Sequence, residues 1–207
     1  MKRFALIFSE SFYELKSLKT LTTTGILIAA YVVLDAFTIS IGEVLKFNFS
    51  FLALALIGML FGPVVSCIAA IPCDLIGCFA TGKSIIPVFT IVAIIEAFIY
   101  GVVLYKLLPK RSQSGRIFSK ENAVNILKLF IARLSVNLIC NVLLNTAILR
   151  YLGFIKKGGL VIYMTRLGKN IAMLPIEVFL MIVIMLPLSY AFKKATASKK
   201  NIQECEQ

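Results

Sequence analysis

Long apolar runs, separated by short polar connections, are the feature of this chain that most restricts its fold. Of its 207 residues, 59% are hydrophobic and only 15% are charged, whereas soluble proteins carry about 25% charged residues. An apolar run of about 18 residues or more is long enough to cross the hydrocarbon core of a bilayer as a helix. The sequence therefore predicts an all-α integral membrane protein, built as a six-transmembrane-helix bundle.

The apolar runs and their flanks give the predicted organisation of the chain. Spans are expected at residues 18–40, 44–61, 63–80, 87–107, 123–149 and 171–192. Before them, residues 1–17 have the pattern of an amphipathic N-terminal segment that lies on the membrane surface. We expect residues 18–192 to form the six-helix membrane domain and residues 193–207 to form a basic and then polar cytoplasmic tail.

The distribution of Lys and Arg predicts the orientation of the spans. With six spans, both termini and the 106–122 connection lie on one side, which holds thirteen of the 22 basic residues, while the other side holds seven. Short loops rich in Lys and Arg stay in the cytoplasm. We therefore expect both termini to be cytoplasmic. Five of the seven outer basic residues fall in one loop, 150–170.

Charged residues inside the spans are the first candidates for function: Asp35, Asp74, Glu96, Arg133 and Glu177. Charges at membrane depth are costly, and they usually face the interior of a bundle or a water-filled cavity. We therefore expect some of these five side chains to line an internal site.

A polar stripe runs along the fifth span, where Arg133, Asn137, Asn141 and Asn145 recur every four residues. On a helix this spacing places them on one face, and amides offer both donors and acceptors. The stripe fits hydrogen bonding between helices or the wall of a binding site. Asn145 lies nearest the outside and is the best candidate for the wall.

A basic cluster of Arg166, Lys169 and Asn170 is expected on one face at the start of the last span. Such a cluster could be a solvated loop that contacts lipid headgroups. However, it lies on the side that the distribution of basic residues predicts to be external, and a helix N-terminus also favours anions. We therefore favour a role in ligand binding.

Small residues form a further pattern in the first span, where Gly25 and Ala29 are four residues apart and Ala30 lies beside them. This spacing lets helices approach closely. It fits packing within the bundle or the docking of a partner subunit.

The sequence lacks the motifs that several classes of enzyme require. The chain has no GxxxxGK[ST] loop, HExxH or GxSxG motif and no histidine, so we expect neither ATP hydrolysis nor another enzyme activity. We expect no metal or other cofactor, and the charge of +12 suits loops and anionic lipid rather than nucleic acid. A pump of this kind would take its energy from a partner or from an ion gradient.

Particular stretches resemble the substrate-binding S components of energy-coupling factor (ECF) vitamin transporters, in particular the folate-type group. The similarity covers about residues 18–192, and the matching stretches are FNFSFLALALIGMLFGPVV (47–65), PCDLIG (72–77), PVFTIVA (87–93), IYG (99–101), LNT (144–146) and RLGKNIAMLPIE (166–177). The resemblance implies a six-helix S component of the bacterial plasma membrane that binds a vitamin from outside. It also implies assembly with a membrane T component and two ATPases, and delivery of the vitamin as the S component topples in the membrane.

The resemblance also implies roles for particular residues. Arg166, Lys169 and Asn170 fit the RxxKN pattern of the folate-type members, Asn145 and Thr146 match an NT pair, and Asp74 falls within a matching stretch. Phe47 and Phe49 could stack on the ring of the vitamin, or they could equally be lipid-facing or core residues. Gly25, Ala29 and Ala30 stand where the family docks on its T component.

Asp35 and Glu96 depart from the family pattern, because Asp35 falls where similar sequences more often carry neutral or basic residues and Glu96 is likewise unusual. An extra acid near an anionic tail would repel it. The matching stretches favour folate, and another vitamin stays an alternative. A different class, an ion-coupled transporter that uses Asp74, Glu96 or Glu177 as a proton carrier, also stays open.

Overall fold

The protein is almost entirely helical in a computed structural model that describes residues 2–41, 45–82, 85–107, 123–153 and 159–205. Within these ranges the helices are α1 (Lys2–Glu14), α2 (Leu18–Ala36), α3 (Phe51–Phe61), α4 (Pro63–Ala80), α5 (Pro87–Leu104), α6 (Ala123–Val136), α7 (Asn145–Tyr151) and α8 (Gly159–Cys205). A π-helix, Asn137–Leu144, joins α6 to α7. Strands β1 (Ile39–Ile41) and β2 (Leu45–Phe47) form a short antiparallel pair. The prediction of an all-α membrane fold is confirmed.

Five helical stretches are long and apolar enough to cross a membrane: Leu18–Ala36, Pro63–Ala80, Pro87–Leu104, Ala123–Tyr151 and Val161–Phe192. The second predicted span, 44–61, differs from them. Its helix α3 has only 11 residues, about 16 Å of helix, roughly half the thickness of the hydrocarbon core. The expected continuous span is therefore wrong in its first part, where β2 and a turn replace the helix.

Helix α3 is the central element of the core. Its sequence, FLALALIGMLF, is apolar on every side, and each of its residues except Leu60 is buried. A helix that is apolar all round belongs inside a protein or a membrane. In this fold α3 packs against α2, α4, α5 and α8, so neighbouring helices cover it.

Helices α3, α4 and α5 meet with almost no space between their backbones. A Cβ atom added to Gly58 would lie 2.8 Å from the backbone nitrogen of Gly101, and one added to Gly101 would lie 2.7 Å from that of Pro63. Beside this contact, Ser66 Oγ donates a hydrogen bond of 3.0 Å to the carbonyl of Ala97. The small residues of these helices thus serve close packing within the bundle.

Helix α1 is fixed to the turn between α3 and α4. Ser11 Oγ donates to the carbonyl of Phe61 at 2.7 Å and accepts from the backbone N–H of Val64 at 3.0 Å. Lys106 donates to Glu10 at 2.6 Å, and this hydrogen bond lowers the pKa of Glu10. The described contacts therefore attach the N-terminal segment to the bundle. The predicted division of the chain at residues 17 and 192 remains a prediction.

Helix α8 begins earlier and ends later than expected. It starts at Gly159 instead of residue 171 and continues to Cys205. The reason is local, because residues 159–165 (GLVIYMT) are mostly apolar and contain no proline to interrupt a helix. The expected position of the basic cluster at a helix start is therefore wrong, since Arg166 is seven residues after Gly159, the first residue of α8. Residues 108–122 of the expected 106–122 connection lie outside the described residues.

We predict that Gly101→Ala destabilises the bundle, because its methyl group would overlap the backbone of Pro63. Overpacking of this kind costs about 2 kcal/mol, so the thermal unfolding midpoint in detergent should fall by about 4–8 °C. Gly25→Ala is the matched control, since its Cβ would have no atom within 4 Å. Equal midpoints for the two variants would contradict this account of the packing.

Candidate substrate-binding site

A polar cavity of about 220 Å³ lies inside the bundle, between α2, α3, α5, α8 and the helix that continues from α6 into the π-helix. The side chains that line it combine charges of both signs, amides, hydroxyls and a few apolar groups. They are Tyr31, Asn48, Ser50, Phe51, Leu54, Glu96, Arg133, Asn141, Lys169, Asn170, Met173 and Glu177. The volume and polar lining fit a small polar ligand.

Arg133 is at the centre of the cavity wall, and its guanidinium is almost completely buried. Its Nε and Nη2 atoms donate to the two carboxylate oxygens of Glu177, both at 2.8 Å. Its Nη1 atom donates to Tyr100 Oη at 2.6 Å. The guanidinium also lies over the ring of Phe51, 3.8 Å from its centroid. Bidentate pairing of this type is strong and directional, so Arg133 connects α6 to α3, α5 and α8.

The amides of the polar stripe extend this network. Asn137 Nδ2 donates to Glu177 Oε2 at 2.8 Å, and Asn141 Nδ2 donates to Asn137 Oδ1 at 2.9 Å. Asn137 and Asn141 belong to the π-helix, whose turns are wider than those of an α-helix. The stripe therefore bonds helices together, which is one of the two roles that the sequence left open. Arg133 and Asn141 also line the cavity, and a role of the stripe as the wall of a binding site remains a prediction.

The opposite part of the wall is held by Asn48, in the segment between β2 and α3. Asn48 Nδ2 donates to Asp35 Oδ1 at 2.6 Å, and its Oδ1 accepts from the backbone N–H of Ser50 at 2.7 Å. An asparagine that bonds the backbone two residues ahead forms a local turn. Asp35 therefore orients the cavity wall through Asn48, and this turn is the reason that α3 starts as late as Phe51.

One face of α8 supplies the remaining polar groups. Lys169, Asn170, Met173 and Glu177 all line the cavity, and their spacing follows successive turns of a helix. The described charged residues of the lining are thus two cations, Arg133 and Lys169, and two acids, Glu96 and Glu177.

The other predicted site residues lie at different places. Arg166 is half-buried, one turn before Lys169 and Asn170, and its carbonyl accepts a 2.9 Å hydrogen bond from Asn170 Nδ2. It is not one of the residues that line the cavity. Asn145 begins α7 and Thr146 is buried beside it, and neither lines the cavity. Their roles in binding remain predictions.

Asp74 and Phe49 are also outside the lining. Asp74 accepts a 2.7 Å hydrogen bond from Thr90 Oγ1, and it lines a second cavity of about 260 Å³ with Asp35 and Tyr31. Tyr31 lines both cavities and so lies between them. Phe49 packs against the main hydrophobic core, while the side chain of Phe47 lies outside the described part of the chain.

Sequence analysis missed the contributions of Tyr31, Asn48 and Ser50 to the wall. None of them is charged, and their side chains are common in ordinary helices and turns. A signal for Asn48 was present, because an Asn two residues before a Ser can form the turn that starts a helix. Among the described residues, no three Cys, Asp or Glu side chains are grouped so that they could hold a metal ion.

The fold and the cavity together define a class: a helical membrane protein with a polar cavity between its helices. Residues 19–201 match the family model described as "ECF transporter, substrate-specific component". The chain therefore belongs to the family of ECF-transporter substrate-specific (S) components.

Two relatives place it more closely within that family. The chain is 28% identical to the folate transporter FolT of Clostridium novyi (strain NT) over 135 residues, which cover 65% of this chain and 69% of the relative. Its structure resembles a crystal structure of FolT bound with folic acid, with a TM-score of 0.64 and 26% sequence identity. That match covers 80% of this chain and 91% of the solved one. The similarity to the folate-type group expected from the sequence is confirmed.

We predict that Glu177→Gln strongly destabilises the protein, because it removes the buried carboxylate that accepts two hydrogen bonds from Arg133. Breaking a buried ion pair costs about 3–5 kcal/mol, so the thermal unfolding midpoint in detergent should fall by about 10 °C. Glu10→Gln is the control, since it removes the exposed pair with Lys106 and exposed pairs contribute little. Similar midpoints for both variants would show that the buried network does not stabilise the bundle.

Proposed function

We propose that this protein is the substrate-capture subunit of an ATP-driven importer, and that it binds folate or a reduced folate from outside the cell. The observation that carries the proposal is the cavity, in which Lys169 and Asn170 of the RxxKN match lie on the same wall as Asn141 and Arg133. The similarity to a folate transporter and to FolT bound with folic acid supports folate as the ligand.

The chemistry of the ligand suits this wall. Folate combines a flat ring, whose edge carries hydrogen-bond donors and acceptors, with a glutamate tail that is anionic. Amides such as Asn141 and Asn170 suit the ring edge, because they offer donors and acceptors together. Basic side chains such as Lys169 suit the carboxylates of the tail. Arg166, one turn nearer the start of α8, would meet the end of the tail at the mouth of the site.

Delivery of the vitamin requires a partner, since the chain carries no nucleotide-binding motif. The proposed partners are a membrane T component and two ATPases, and the proposed movement is reorientation of the S component in the bacterial plasma membrane on docking. The termini would be cytoplasmic, as the distribution of Lys and Arg indicates.

Helix α2 supports a docking role for the small residues. Only 17% of its most apolar window is buried, against 28–39% for the other four membrane-crossing stretches. Gly25 and Ala29 are exposed on it and Ala30 is half-buried. Because small side chains allow another helix to approach closely, this surface suits a helix of the T component.

We predict that Lys169→Met and Arg166→Ala each weaken folate binding by at least tenfold. A hydrogen bond to a charged group contributes about 1.5–3 kcal/mol, and about 1.4 kcal/mol corresponds to a factor of ten in the dissociation constant. Isothermal titration calorimetry of the purified protein with folate measures the effect, followed by titration with thiamin, riboflavin and pantothenate.

Lys128→Met is the matched control for the binding experiment, because Lys128 is exposed on α6 and does not line the cavity. Its affinity for folate should equal that of the unaltered protein. Tight binding of a different vitamin by the unaltered protein would retain the class and replace the substrate. Absence of binding across the panel would contradict the capture role.

We predict that Ala29→Trp leaves folate affinity unchanged but abolishes uptake by the assembled transporter. The large side chain would prevent close approach of a partner helix to α2. Ile91→Trp is the control, because Ile91 is 56% exposed on α5 and is not part of the small-residue surface. Uptake of labelled folate into proteoliposomes that contain the whole complex measures both variants, and persistent uptake by Ala29→Trp would exclude this surface as the docking site.

A further inference from the structure

The two acidic side chains of the cavity, Glu96 and Glu177, differ in how many hydrogen bonds they accept from the protein. Glu177 accepts three hydrogen bonds of 2.8 Å, two from Arg133 and one from Asn137. Within the described part of the chain, the closest cation to Glu96 is Arg133, with 3.5 Å between Glu96 Oε1 and Arg133 Nη1. Tyr100 also forms a side-chain hydrogen bond with Glu96. Most acceptor capacity of Glu177 is therefore occupied, whereas the two oxygens of Glu96 can accept further hydrogen bonds from a ligand.

The position of Glu96 gives its carboxylate access to the cavity. Glu96 lies one turn before Tyr100 on α5 and lines the cavity, and its side chain is 21% exposed, against 10% for Glu177. The exposure is too small for a fully hydrated carboxylate. A carboxylate held in this way needs hydrogen-bond donors from its surroundings.

We propose that Glu96 binds the donor edge of the folate ring and so sets both the orientation and the specificity of the site. This inference rests on the proposed function. The edge in question carries a ring N–H and the exocyclic 2-amino group side by side. Two parallel N–H groups match the two oxygens of a carboxylate, as they do in an arginine–carboxylate pair.

The orientation of the ligand follows from the charges of the wall. Glu96 repels carboxylates, and Lys169 attracts them. The ring edge therefore points toward α5, and the glutamate tail points toward Lys169 on α8. In this arrangement the acid that departs from the family pattern no longer opposes binding, because it meets the donor edge of the ligand and not its anionic tail.

The specificity follows from the same contact. A site built around a hydrogen bond to the ligand strongly rejects an analogue that lacks the bonding group, because a buried polar group is then left without a partner. A pteridine without the 2-amino group would leave one oxygen of Glu96 unpaired. The cavity should therefore discriminate against it by much more than the small change in size would suggest.

The test combines a variant of the protein with a variant of the ligand. Folate and its 2-desamino-2-methyl analogue are titrated by calorimetry into the unaltered protein and into Glu96→Gln. The unaltered protein should bind folate at least tenfold more tightly than the analogue. Glu96→Gln should lose at least tenfold for folate but less than threefold for the analogue. One of the two hydrogen bonds is already absent with the analogue, and the amide oxygen of Gln can still accept the other from the ring N–H. Glu10→Gln, which makes the same change at an exposed position on α1, should match the unaltered protein.

Each other outcome has one meaning. Equal losses for both ligands in Glu96→Gln would show a structural role for Glu96 and overturn the inference, as would no loss at all. Should Glu96→Gln fail to fold, the comparison of the two ligands on the unaltered protein decides, and equal affinities there would overturn the inference. Failure of the unaltered protein to bind folate would instead overturn the proposed function, on which the inference rests.

Discussion

The structure depends on one interaction, the buried pair of Arg133 and Glu177. A charge inside an apolar bundle is tolerated only when it is paired and hydrogen-bonded. Arg133 satisfies this requirement, because it donates two hydrogen bonds to Glu177 and one to Tyr100. Because the partners lie on different helices, the pair fixes α6, α5 and α8 relative to one another. The polar cavity lies directly beside this pair, and both of its members line it.

Helix α2 connects the two surfaces on which the proposed function relies. Tyr31 and Asp35 face the interior, where Tyr31 lines both cavities and Asp35 holds Asn48 in the cavity wall. Gly25 and Ala29 are exposed on the same helix. A change in the position of α2 would therefore alter both the cavity wall and the surface proposed to contact the partner.

The sequence allowed the helical class, most span boundaries and the charged members of the cavity wall to be predicted, because apolar length and charge at membrane depth are read directly from residues. It did not allow the start of α3 to be placed, since FNFSFLALALIGMLF is mostly apolar and only Asn48 and Ser50 interrupt it. It also did not separate Lys169 from Arg166, because a spacing of three residues gives a common face but not the depth of a cavity. Asn48 was missed because its role depends on Asp35, thirteen residues earlier.

The π-helix at Asn137–Leu144 affects how this chain is compared with its relatives. A π-helix holds an additional residue within the length of an α-helical turn, so the residues after it are displaced by one position relative to an uninterrupted helix. An alignment without a gap to a relative that has a regular helix here would match Asn145 and Thr146 to the wrong neighbours. The equivalences of Asn145 and Thr146 therefore have to be assigned from superimposed backbones.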